Sequence, residues 1–84
     1  MDISNERKQI DEIDASMREL FVRRMDACRE IAKKKKAAGV PIYDAKREAD
    51  VLSLANDVPA EYASLYKEFL QSVMRLAKKL ESNE

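Results

Sequence analysis

An all-helical fold follows from three features of the sequence. Helix-forming residues dominate it, a single glycine and two prolines interrupt its 84 residues, and its apolar side chains recur at three- and four-residue intervals. The interruptions fall at Gly39-Val40-Pro41 and Asn56-Asp57-Val58-Pro59. They leave three helices, at about residues 3–38, 44–55 and 59–82, within one domain spanning 1–84.

The first helix starts near Asp2 or Ser4, either of which can cap it. Its seam runs through Ile10, Asp14, Met17, Phe21, Arg24, Cys28, Ile31 and Lys35, widened by Ile13, Leu20 and Met25. At a rise of 1.5 Å per residue such a helix is ~54 Å long. A compact domain of this size has a radius of gyration of only ~12 Å. Two shorter helices from the same chain cannot cover that rod, so a second copy is expected against it.

The second helix opens at Asp44 as N-cap and shows a modest apolar face of Val51, Leu52 and Ala55. The third carries Pro59 where a first-turn proline is tolerated. Its broad apolar face runs from Tyr62, Leu65, Tyr66 and Phe69 through Leu70, Val73 and Met74 to Ala77 and Leu80. Core packing is the ordinary role of such a stripe.

Composition excludes several functions. The chain has no histidine and one cysteine, Cys28, which argues against a zinc site, a histidine-based triad and an intrachain disulfide. Its 16 basic and 16 acidic residues balance. Asp11, Glu12, Glu19, Asp26 and Glu30 interrupt the basic residues of the first helix, which argues against nucleic acid as a partner. No apolar run reaches membrane-spanning length and no signal peptide is evident, so no membrane partner is expected and the lone thiol points to the cytoplasm.

The distinctive feature is where the cations lie. Arg7, Arg24 and Lys35 fall in register with the apolar seam, where a positive charge is costly unless an anion meets it. Arginine suits a planar carboxylate through paired hydrogen bonds, so a pocket for a small anionic ligand is one reading. The other is structural: long side chains snorkel to water, or an acid such as Asp14 pairs one of them. Of the run Lys33–Lys36, only Lys35 turns to the seam.

The spacing Arg7-x2-Ile10-x3-Asp14, then Arg24, Lys35 and Asp44-x2-Arg47-Glu48, resembles the all-helical chorismate mutases, the AroQ class. RKQIDEID near the start, the doublet Arg23-Arg24, GVPIYDAKRE after the first helix and FLQSVMRLAKKLE in the third fit the same resemblance, which covers about Arg7 to Glu81. The last segment is similar to the closing part of mutase domains found ahead of a prephenate dehydratase. The resemblance implies an intertwined homodimer that converts chorismate to prephenate on the route to phenylalanine and tyrosine, without cofactor or metal.

By the same resemblance, Arg7 reaches the partner's site and binds a substrate carboxylate. Arg24 binds a carboxylate within its own chain, and Lys35 contacts a carboxylate and the ether oxygen of the breaking bond. Asp44, through its backbone amide, and Glu48 hold the ring hydroxyl, with Arg47 beside them. Such chemistry needs no nucleophile. The protein holds a flexible arm in its reactive conformer and stabilises charge growing on the ether oxygen.

Two positions depart from the family pattern. Ala77 stands where a serine is common, and Glu81 where a glutamine donates to the ether oxygen. An ionised Glu81 would repel the developing charge and a protonated one could donate; if it must be protonated, turnover declines as pH rises. A fungal branch of these mutases also has glutamate here. The position lies close to the C-terminus, where fraying is expected. Two other functions fit the same residues: a lyase releasing pyruvate from isochorismate, and a non-catalytic dimeric regulatory module.

Overall fold

The computed structural model describes residues 1–83. It holds three α-helices, α1 (Ser4–Ala38), α2 (Ala45–Ser53) and α3 (Ala60–Glu81), with a 3-10 turn at Leu54–Asp57 and no strand among the described residues.

Local chemistry sets each boundary. At the start of α1 the cap position belongs to Ile3, which offers no side-chain acceptor, and not to Asp2 or Ser4. Asp2 serves from one residue further out. Its carboxylate accepts from the Ser4 backbone amide at 3.0 Å and from the Ser4 hydroxyl. The hydroxyl bond, then the amide bond, holds the exposed Asp2 carboxyl below its ordinary pKa.

At the other end Gly39 takes a left-handed conformation with φ 68°. Its amide donates to the Lys36 carbonyl at 3.2 Å and the Val40 amide to the Lys35 carbonyl at 2.9 Å. These paired bonds form a Schellman motif, which terminates the helix and satisfies its last carbonyls.

Asp44 caps α2 through Oδ1, which accepts from the Arg47 amide at 3.0 Å. That helix ends at Ser53, and the chain tightens through the 3-10 turn instead of running on as α-helix to residue 55. The reason lies just downstream. Pro59 forces the residue before it out of helical geometry, and Val58 is extended at φ −105°, ψ 163°. Pro59 itself sits at the N-cap of α3, one position outside its first turn, and its carbonyl accepts from the Tyr62 amide at 2.8 Å.

Hydrogen bonds close the C-terminus of α3. The Ser82 amide and hydroxyl donate to the Lys78 carbonyl at 2.9 and 2.8 Å, and Glu81 is a buried residue.

Both α1 and α2 rest on α3, and among the described residues they do not pack on each other. Val51, Leu70 and Met74 form the core, with Leu52 and Tyr66 against it. On α1 only Cys28 and Ala32 are buried, both small enough to admit a close neighbour. The rest of the seam is bare: Ile10, Ile13, Met17, Leu20 and Phe21 are 44–56% exposed. Tyr62, Leu65 and Phe69 of α3 are exposed as well. The molecule measures 57 × 25 × 15 Å with a radius of gyration of 16.0 Å, against ~12 Å for a compact chain of this length. No helix among the described residues is long and apolar enough to cross a membrane.

Candidate functional site

Because α1 and α2 lean on α3 without touching, a cleft of about 270 Å³ opens between them. Arg24 and Lys35 lie on its α1 wall, eleven residues apart along the helix and within ~20° of the same direction. Asp44, Arg47 and Glu48 line it from the first turn of α2 and its cap. Ala77 and Glu81, one turn apart, line it from α3. Of the candidate substrate-binding residues, only Arg7 is elsewhere. It is exposed near the start of α1, ~25 Å along the axis from Arg24 and beyond reach of its own cleft.

The charged groups are held in particular ways. Lys35 is half-buried and its ammonium donates to the Ile42 carbonyl at 2.9 Å, tying the connection after Gly39 back onto α1. An ammonium has three donors, so two remain for a ligand. The Arg24 guanidinium lies 3.7 Å from Cys28 Sγ, leaving most of its donor fork unused by that contact. Burial first of all pushes the Cys28 thiol above its ordinary pKa. The positive Arg24 opposes that shift, while Glu81 adds to it through its charge and a hydrogen bond. The thiol therefore stays protonated at neutral pH and packs as a small, weakly polar wall beside Glu81.

On the opposite side Lys78 and Glu48 form an ion pair between α3 and α2 at 3.2 Å. No buried side-chain nitrogen or oxygen among the described residues lacks a partner. The cleft thus carries four cations and three carboxylates on an apolar frame that includes Ile31, Val51 and Met74. Such a site suits a small molecule that carries an anionic group.

Sequence reasoning misses Lys78. It adjoins Ala77 in a helix read as apolar on one face and polar on the other, and it belongs to the polar side of that division. Its partner is Glu48 on α2, so no signal within α3 marks it. Asp14, considered as an internal partner for a seam cation, is exposed on the bare half of α1 and lines none of this cleft.

Residues 6–82 match the family described as chorismate mutase type II. The 3-dehydroquinate dehydratase of Pyrobaculum aerophilum is 35% identical over 72 residues, 86% of this chain and 21% of that protein. The T-protein of Haemophilus influenzae is 32% identical over 69 residues, 82% of this chain and 18% of that protein. The chain spans about a fifth of the length of these curated relatives. No solved structure gives a significant match. The family match takes in nearly the whole chain, and the chain belongs to the chorismate mutase type II family.

Proposed function

We propose that this member of the family is a chorismate mutase that rearranges chorismate to prephenate, serves phenylalanine and tyrosine synthesis, and works as a homodimer. The observation that carries the reading is the convergence of Arg24, Lys35, Arg47, Glu48 and Glu81, from three helices, on one cleft. Chorismate presents two carboxylates, a ring hydroxyl and an ether oxygen, and one carboxylate, the hydroxyl and the ether oxygen have chemical complements there.

In this mechanism Arg24 takes the carboxylate of the enolpyruvyl arm through its fork and Lys35 meets the same group and the ether oxygen. Glu48 accepts from the ring hydroxyl, with the Asp44 backbone and Arg47 beside it. Holding the arm over the ring turns a rare conformer into the bound one. As the C–O bond stretches, negative charge grows on the ether oxygen, and the Lys35 ammonium attracts it more strongly than in the ground state. Glu81 stands on the facing wall, on α3.

The dimer reading rests on the bare seam. Ile10, Ile13, Met17 and Leu20 expose an apolar stripe along α1, which ends at Phe21 beside Leu76 and Leu80 of α3. A second copy laid on that stripe would bring its Arg7 toward this cleft and supply a cation for the second carboxylate. The test follows chorismate loss by ultraviolet absorbance and identifies the product. Wild type should consume chorismate and yield prephenate, and Arg24→Ala should lose about a hundredfold or more in kcat/KM. Wild-type turnover no faster than the uncatalysed reaction, or pyruvate release from isochorismate with no prephenate formed from chorismate, would defeat the assignment.

A further inference from the structure

Lys78 lies on the cleft wall, yet none of the roles described above uses it. Its ammonium is 3.2 Å from Glu48 Oε2 and 3.5 Å from Oε1, so it faces both oxygens of the carboxylate. It also lies 5.0 Å from the centroid of the Tyr43 ring. Three segments meet at this nitrogen: the connection before α2, α2 itself and α3. The side chains of Lys78 and Glu48 are 43% and 26% exposed. A pair so open to solvent adds little to stability. Its effect is geometric: the Tyr43 ring and the carboxylate together hold the ammonium, and the ammonium fixes the rotamer of Glu48.

The charge balance points the same way. Without Lys78 the cleft would carry three cations and three carboxylates, and Glu48 would face an anionic ligand uncompensated. With it, Glu48 keeps its capacity to accept a hydrogen bond while its charge is offset. We infer that Lys78 is a positioning residue of this site, acting through Glu48 by pinning that carboxylate in the orientation that receives the ring hydroxyl of the substrate. The inference rests on the chorismate mutase reading, which supplies the hydroxyl.

The experiment compares wild type, Lys78→Met, Glu48→Gln, the double variant and Lys78→Arg by steady-state chorismate kinetics. Calorimetric titration with prephenate on the same proteins provides a measure independent of turnover. Lys78→Met should raise KM about tenfold and lower kcat by less than about threefold, with a matching loss of prephenate affinity. Lys78→Arg should recover most of both. In the Glu48→Gln background the Lys78→Met change should move KM by less than about twofold, because its target is already gone. Lys78→Gln replaces the methionine variant if circular dichroism shows that the latter has lost helix.

An equal loss in both backgrounds would overturn the inference, since Lys78 would then act on the ligand or the fold directly. So would a Lys78→Met protein indistinguishable from wild type. A wild type that binds prephenate without turning over chorismate sinks the mutase reading alone, and the affinity ratios then decide the role of Lys78. A wild type that does neither overturns both.

Discussion

The two halves of α1 are built to one pattern and meet different surroundings. From Arg24 to Ala38 the helix lies against the last turns of α3, buries Cys28 and Ala32, and lines a cleft with Arg24 and Lys35. From Ser4 to Val22 the same three-and-four spacing continues through Ile10, Ile13, Met17 and Phe21, and every residue of that stretch is exposed. A stripe of large apolar groups left in water costs free energy in proportion to its area, a cost that the proposed dimer would relieve. The second half shows what such a stripe does once covered: it turns from packing surface into the wall of a site. The proposed dimer makes the first half the equivalent of the second, contributed in trans.

The largest expected effect comes from breaking the bare half. Leu20→Glu with Phe21→Glu places two charges on the stripe without touching the cleft wall. Sedimentation should then report the mass of one chain, and chorismate turnover should fall by about a hundredfold or more, because the cleft would lose the cation from the partner's Arg7. A variant that sediments as one chain and keeps wild-type turnover would show that each cleft works alone. The next effect separates the halves by residue. Arg7→Ala and Arg24→Ala should each be inactive, and an equal mixture refolded together should regain about a quarter of wild-type activity. Half of the dimers would then be mixed, each with one intact site. Recovery of none, with mixed dimers shown by mass, would remove Arg7 from the partner's cleft.

These contrasts also separate what the sequence makes legible from what it leaves hidden. Arg24 and Lys35 are legible because a cation in an apolar register is anomalous by itself, whatever surrounds it. Asp44 is legible because capping is a local property, fixed within four residues. Lys78 is hidden because its importance comes from Glu48, thirty residues away, and no pattern within α3 reports that contact. Glu81 is only partly legible for a related reason. Nearness to the C-terminus predicts fraying, whereas the bonds from Ser82 to the Lys78 carbonyl hold the last turn and keep Glu81 at the cleft. The course of the seam is legible over its full length, but which part of it the chain covers depends on where α3 begins and how far it reaches.

A smaller effect is expected at the junction that closes the cleft half. A Cβ on Gly39 would meet nothing within 4 Å, so Gly39→Ala tests only the left-handed backbone that the helix stop requires. The cost should be about 1 kcal/mol, read as a fall in Tm of roughly 4–8 °C. Because the connection after Gly39 presents the Ile42 carbonyl to Lys35, KM should rise modestly while the dimer persists. An unchanged Tm would mean that the turn does not need its glycine.

The smallest effect is a slope with pH, and it too belongs to the covered half. Burial, reinforced by Glu81, raises the Cys28 thiol above its ordinary pKa in the folded chain. Above the ordinary thiol value the unfolded chain releases this proton while the folded chain keeps it, so the folded state binds more protons and stability falls as pH rises. The contribution is complete below the ordinary thiol value and lost as pH climbs through the raised one. Urea midpoints taken from neutral to alkaline pH should therefore decline more steeply for wild type than for Cys28→Ala, the difference between the two curves isolating the contribution of Cys28. Parallel curves would mean that Cys28 ionises as readily in the folded chain as in the unfolded one, and that α3 does not shield it as the cleft geometry requires.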